Sequence, residues 1–135
     1  RENPSVRLPG TGGGNDISSL TQMIVAIKHE KRRFVEKVDF VTSPGFLNGN
    51  STRHDTGLIS GGMYRVVTDL AIMGFDEKTK SMKVEALHPG VTAEEVRDNT
   101  GFDILIDENV GVTKAPSDEE LSVLRHLDPD RVYIA

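Results

Sequence analysis

Apolar residues fall in short runs separated by polar and glycine-rich stretches, and the rhythm of those runs names the elements. Met23-Ile24-Val25-Ala26-Ile27 is a continuous apolar run, the pattern of a strand buried on both faces. Before it, Val6-Arg7-Leu8 reads as the end of a strand and Gly10 to Gly14 as a turn. Ile17 to Gln22 follows as a helix with Asn15 or Asp16 as its cap. Strand, loop, helix, strand is a βαβ unit. It predicts an α/β fold: an open, mostly parallel sheet with flanking helices, its ligand sites at the C-terminal ends of the strands.

Further along, His29 to Val38 mixes charge with apolar residues. Pro44 to Gly62 is a long stretch of mostly Gly, Asn, Ser, Thr, His and Asp, and a loop of that length in a compact domain is usually functional or mobile. Tyr64 to Met73 and Met82 to Leu87 read as two strands. With Asp76-Glu77-Lys78-Thr79-Lys80 as a polar turn near the end of the first, they predict a β-hairpin. Thr92-Ala93-Glu94-Glu95 and Ser117-Asp118-Glu119-Glu120 have capping-box spacing. One opens a short helix that stops at Gly101, the other a helix through Leu127. Phe102 to Asp107 alternates like a strand between them.

A length of 135 residues is enough for one domain with a core, so 1–135 is expected to form a single domain. Hydrophobic residues are 36% and charged ones 27%, as in average soluble proteins. No run approaches the roughly 18 apolar residues of a membrane span. A formal net charge of −5 argues against nucleic acid or an anionic membrane as partner. The absence of Cys removes thiol, disulfide and iron–sulfur chemistry. With no signal peptide at the N-terminus, a cytoplasmic location is expected. Four His residues (His29, His54, His88, His126) stand without metal-ligand spacing, so no metal site is expected. Asn50-Ser51-Thr52 matches a glycosylation sequon, by chance on this reading.

Two features bear on chemistry. Gly10, Gly12, Gly13 and Gly14 precede a helix, where backbone N–H groups can face a phosphate or a developing oxyanion. A purely structural turn is the alternative. Gly10-Thr11-Gly12 begins like a dinucleotide fingerprint but has Asn15 in the third glycine position, and the absence of Gly-Lys-Ser/Thr excludes a P-loop. His29, Arg32 and Arg33, at the end of the apolar run, are candidate anion contacts, with a solvated basic face as the alternative. His88-Pro89-Gly90 reads as a plain turn.

Several motifs in succession carry a resemblance. They are Leu8-Pro9-Gly10-Thr11-Gly12-Gly13-Gly14-Asn15-Asp16, then Lys28-His29-Glu30-Lys31-Arg32-Arg33-Phe34, then Thr42-Ser43-Pro44-Gly45, Val67-Thr68-Asp69-Leu70 and His88-Pro89-Gly90-Val91-Thr92. From about Val6 to Asp130 the chain resembles the β subunit of family I coenzyme A transferases of the glutaconate CoA-transferase type. The resemblance implies a CoA-transferase-like α/β fold that works with an α subunit and moves coenzyme A between an acyl-CoA and a carboxylic acid. CoA is then substrate, with no further cofactor. A family glutamate attacks the thioester, and a glycine loop, here Gly12, Gly13 and Gly14 with Asn15 beside them, stabilises the oxyanion.

The family subunit is about twice this length and carries that glutamate before the glycine loop, where this chain has only Glu2, in no family-like context. The chain is therefore expected to correspond to the C-terminal half of a β subunit. It should be inactive alone and should need its missing half and an α subunit, or self-association. Gly61-Gly62-Met63 stands where the family commonly has Gly-Gly-Pro. A ring-cleaving acyl-CoA hydrolase and a non-catalytic CoA- or anion-binding module are the other readings.

Overall fold

The computed structural model describes residues 10–132. Val6 to Leu8, the expected first strand of the βαβ unit, lies outside the described residues. Five strands form one open sheet in chain order: β1 (Gln22–Ala26), β2 (Gly62–Val67), β3 (Ala71–Phe75), β4 (Met82–Leu87) and β5 (Leu105–Val112). Both outer pairings, β1 with β2 and β4 with β5, are parallel, while the inner two are antiparallel. The expected open α/β sheet is therefore present, in mixed rather than mostly parallel form. Its helices are α1 (Gly14–Leu20), α2 (Thr52–Asp55), α3 (Ala93–Asp98) and α4 (Asp118–Leu127).

The apolar stretch from Tyr64 to Met73 is two strands, not one. Thr68 turns the chain: its Oγ1 accepts hydrogen bonds from Leu70 N (3.1 Å) and Ala71 N (2.9 Å), which folds β3 back on β2 without Gly or Pro. The predicted hairpin is β3–β4. In its turn the Asp76 carboxylate accepts from Lys78 N, Thr79 N and Thr79 Oγ1. Those bonds, Thr79's first, hold its pKa below the usual carboxylate range.

Pairing stacks Val66, Met73 and Val84 across three strands on one face. With Ala71 and Leu87 they form the buried core, covered by Phe34, Val96 and Ile104. The opposite face is more polar: Arg65 Nε meets Glu85 Oε2 at 2.6 Å. The Glu85 carboxyl lies where a side chain on Gly74 would stand, so a larger residue there would displace it from Arg65. Ile24, paired with Arg65, is 62% exposed. Among the described residues β1 is thus at the sheet edge with alternating exposure, not buried on both faces, because an apolar run records what a strand can bury and not what covers it.

Both predicted helix starts are present. The Thr92 side chain accepts from Glu95 N at α3. At α4, Ser117 and Glu120 form the reciprocal box, and the bonds from Ser117, its backbone N–H first, lower the Glu120 pKa. β5 begins at Leu105, three residues later than the pattern suggests. No described helix is long and apolar enough to cross a membrane.

Candidate functional site

The glycine loop closes on itself before α1. Gly14 N–H donates to Thr11 O at 3.1 Å, and Gly12 sits at φ +54°, a left-handed conformation natural to glycine. Helix α1 starts at Gly14 with Gly13 as its N-cap and no side-chain cap. The expected cap, Asn15, instead donates from Nδ2 to Thr42 O at 3.3 Å, and Asp16 lies in the first turn. Of the three glycines only Gly14 spends its N–H on the turn. The N–H groups of Gly12 and Gly13 make no hydrogen bond among the described residues. Nothing lies within 4 Å of where a Cβ would stand on Gly12, Gly13 or Gly14, so the loop is exposed and open to approach.

The far end of α1 is clamped by Arg53, a residue that nothing in the local sequence marks out. Only 7% exposed, it donates from its guanidinium to Ser19 O (2.7 Å), Ser60 O (2.6 Å) and Gly45 O (2.8 Å). One side chain therefore ties the glycine-loop helix to both ends of the 45–60 loop. That loop is internally braced: Thr52 Oγ1 lies 2.6 Å from Gly49 O and 3.2 Å from Phe46 O, and the Phe46 ring packs edge-on against Phe75, 4.9 Å away in β3. Between Val38 and Thr56 it encloses an open cleft of about 600 Å³ walled by Val41, Pro44, Phe46 and Leu47.

His29 is buried in a hydrogen-bonded knot. Its backbone N–H donates to Asp69 Oδ1 (2.7 Å), and its ring stacks on Phe34 at 4.2 Å. Nε2 lies 3.0 Å from Thr100 Oγ1, whose proton goes to Val96 O (2.7 Å), so Nε2 carries the ring hydrogen. Nδ1 lies 3.2 Å from Thr68 Oγ1, which already accepts two backbone N–H groups and donates to Ala71 O at 3.0 Å, so Nδ1 is left as the unprotonated ring nitrogen. A proton on Nδ1 would find no lone pair. Burial pushes the His29 pKa down, only partly opposed by Asp69. His88 shares the same threonine: Nε2–H donates to Thr68 O (2.9 Å), and Nδ1 accepts from Thr113 Oγ1 (2.9 Å).

The three candidate anion contacts therefore separate. Both ring nitrogens of His29 are engaged inside the fold, whereas Arg32 and Arg33 lie at the surface. There their Nε atoms converge on Glu30 Oε2 at 2.7 and 3.0 Å, holding the Glu30 pKa below its usual range, Arg32 most. No hydrogen bond or ion pair among the described residues joins either arginine to the glycine loop. Among the described residues no cluster of three or more His, Asp or Glu is placed to hold a metal ion.

A mixed open α/β sheet with a glycine loop leading into its first described helix defines the class of fold, and comparison places it in a family. The coenzyme A transferase family model matches residues 2–99, and the chain belongs to that family. It is 41% identical over 133 residues to the B subunit of glutaconate CoA-transferase from Acidaminococcus fermentans, across 97% of this chain and 50% of that one. It is also 41% identical to the B subunit of 3-oxoadipate CoA-transferase from Pseudomonas knackmussii (93% and 48% covered). To the cholesterol ring-cleaving hydrolase IpdB subunit of Rhodococcus jostii it is 34% identical (95% and 51%). The crystal structure of the Acidaminococcus enzyme superposes with a TM-score of 0.86 at 39% identity, over 99% of this chain and 52% of that one. The chain spans about half the length of the relatives it matches.

Proposed function

We propose that this chain serves as part of a CoA-transferase β subunit, acting with an α subunit on an acyl-CoA and a carboxylic acid. In such a transfer a carboxylate attacks the thioester carbonyl. The C–O bond forms, the C–S bond breaks, and the CoA thiolate leaves an acyl anhydride. Thiolate attack on the enzyme's acyl carbon then releases the first acid, and the sequence reverses with the acceptor. Each attack places negative charge on a carbonyl oxygen.

The observation that carries the reading is the glycine loop in a chain of this family, with the Gly12 and Gly13 N–H groups making no hydrogen bond among the described residues. Donors fixed before the charge develops are each worth several kcal/mol of barrier in a water-excluded site. Helix α1 has only seven residues, so the N–H groups themselves, more than a helix dipole, supply the stabilisation. Arg32 and Arg33 offer cationic groups for the anionic CoA or the acid. On this reading the attacking carboxylate is none of those in residues 10–132.

The chain mixed with an acyl-CoA and an acceptor acid is expected to show no exchange, and to bind CoA in a calorimetric titration. Replacing Gly13 with Val should abolish the binding. Robust exchange by the chain alone overturns the assignment of the nucleophile, and unchanged CoA affinity in the Gly13 variant overturns the role of the loop. The 34% identity to ring-cleaving hydrolase subunits supports a second reading, hydrolysis. It is distinguished by product: free CoA with a ring-opened acid, where transfer yields a new acyl-CoA.

A further inference from the structure

We propose that Arg53 is a positioning residue for the glycine loop: by holding the last turn of α1 against the Gly61-Gly62 backbone, it sets where the Gly12 and Gly13 N–H groups stand. The inference rests on the oxyanion reading of that loop and adds to it the residue on which its aim depends.

The attachment of α1 is the first observation. A helix on a sheet is ordinarily held by an apolar stripe. Here Ser18 is the one buried residue of the helix, while its Ile17 and Leu20 are 57% and 70% exposed. Among the described residues the direction of α1 is therefore set by polar contacts. Arg53 Nη2 donates to Ser19 O at 2.7 Å, Gly62 N to Thr21 O at 3.0 Å, and Asn15 Nδ2 to Thr42 O at 3.3 Å. Of these only the arginine bond is charge-assisted, the stronger kind. The loop end of the helix has no side-chain cap.

The seat is the second. At φ +72°, Gly61 runs so close to the helix end that a Cβ on it would lie 2.5 Å from Thr21 O and 2.9 Å from Leu20 C. Gly62, at φ +106°, lies against the arginine, where its Cβ would stand 3.4 Å from Arg53 Nε. The glycine pair thus admits the helix end on one side and the guanidinium on the other. Arg53 closes that seat, binding Ser60 O at 2.6 Å and Gly45 O at 2.8 Å as well as Ser19 O. Carbonyls from three stretches of chain fix the plane of one rigid fork.

Leverage is the third. At a rise of about 1.5 Å per residue, Gly13 stands about 9 Å along the axis from Ser19, so a tilt of about 10° at the seat carries the loop about 1.5 Å. A misplacement of about 1 Å can cost a reaction about a hundredfold. The end of α1 that Arg53 holds is far from the chemistry, but the helix transmits any error there to the donors.

The test is calorimetric titration of the full chain with CoA, at a temperature where circular dichroism shows every variant folded, so that stability alone moves no affinity. Arg53→Met and Gly61→Ala should each weaken CoA binding about tenfold. Val84→Ala, a cavity in the sheet core, should bind as the parent chain does. Combined with Gly13→Ala, Arg53→Met should weaken binding by clearly less than the product of the two single effects, the mark of two changes acting on one loop. Parent-like affinity in folded Arg53→Met or Gly61→Ala, an equal loss in Val84→Ala, or strictly multiplicative effects overturns the proposal. Loss of binding in Gly13→Val keeps the loop reading standing in each of those cases. A parent chain that does not bind CoA overturns both.

Discussion

The sheet core and the glycine-loop side of the molecule are held together by different physics. Around Met73 and Val96, both fully buried, apolar side chains pack across strands, and the polar groups among them (His29, Thr68, Thr100) are paired with one another. Between residues 36 and 61 the one buried residue is Arg53. Order there comes from a cation on backbone carbonyls and from turns braced by Thr52 and Asp55. That segment is stiffened by a polar skeleton with Phe46 on Phe75 as its apolar anchor, and it leaves Val38, Val41 and Leu47 exposed.

Substitutions can break that contrast from either side. Met73→Ala should be the most damaging, lowering unfolding free energy by about 2–5 kcal/mol through lost packing and a cavity. Urea denaturation reads it, and a loss under about 1 kcal/mol would deny the core its role. Arg53→Met should cost about 2–3 kcal/mol, because it strips donors from three carbonyls. In hydrogen exchange the increase should be confined to residues 14–21 and 45–62 with β3 and β4 still protected. Thr68→Val should cost about 1–3 kcal/mol, since Leu70 N and Ala71 N lose their acceptor.

Acid titration is gentler. His29 is neutral in the fold with its pKa lowered, so the unfolded chain binds the extra proton. Stability from this group is complete above its ordinary value near 6.5 and declines as pH falls toward the folded value, with a limiting slope of about 1.4 kcal/mol per pH unit. Thermal melts between pH 8 and pH 5 should show that decline; a flat profile would contradict the buried neutral ring. Gly13→Val sits at the bottom of the series. Gly13 has φ −79° and open space around it, so stability should change by no more than about 0.5 kcal/mol even as CoA binding is lost.

Much of this architecture was legible in the residues. The Asp76–Lys80 turn, the Ser117 capping box and the glycine cluster each carry local chemistry that the fold uses, and the order of motifs pointed to the family. What escaped was decided at long range. Thr68 makes its turn with a hydroxyl where the pattern held no Gly or Pro. The apolar run of β1 could not say that it would lie at a sheet edge. His29 stands in a basic segment that reads as surface, yet Thr68 and Thr100, distant in sequence, enclose it. Arg53 looked like any charged residue in a polar loop; only folding brings Ser19, Gly45 and Ser60 to it.

The strand order, sequential from β1 to β5, has a kinetic consequence. Strands β2, β3 and β4 form a meander joined by tight turns, so they can pair at little cost in loop closure. The two parallel edges must wait for long crossovers, residues 27–61 and 88–104. The meander is therefore the cheap nucleus and β1, with the crossover that carries the cleft, the late arrival. An element that joins last can also open first, so amide hydrogens of β1 and its crossover are expected to exchange faster than those of β2 to β4.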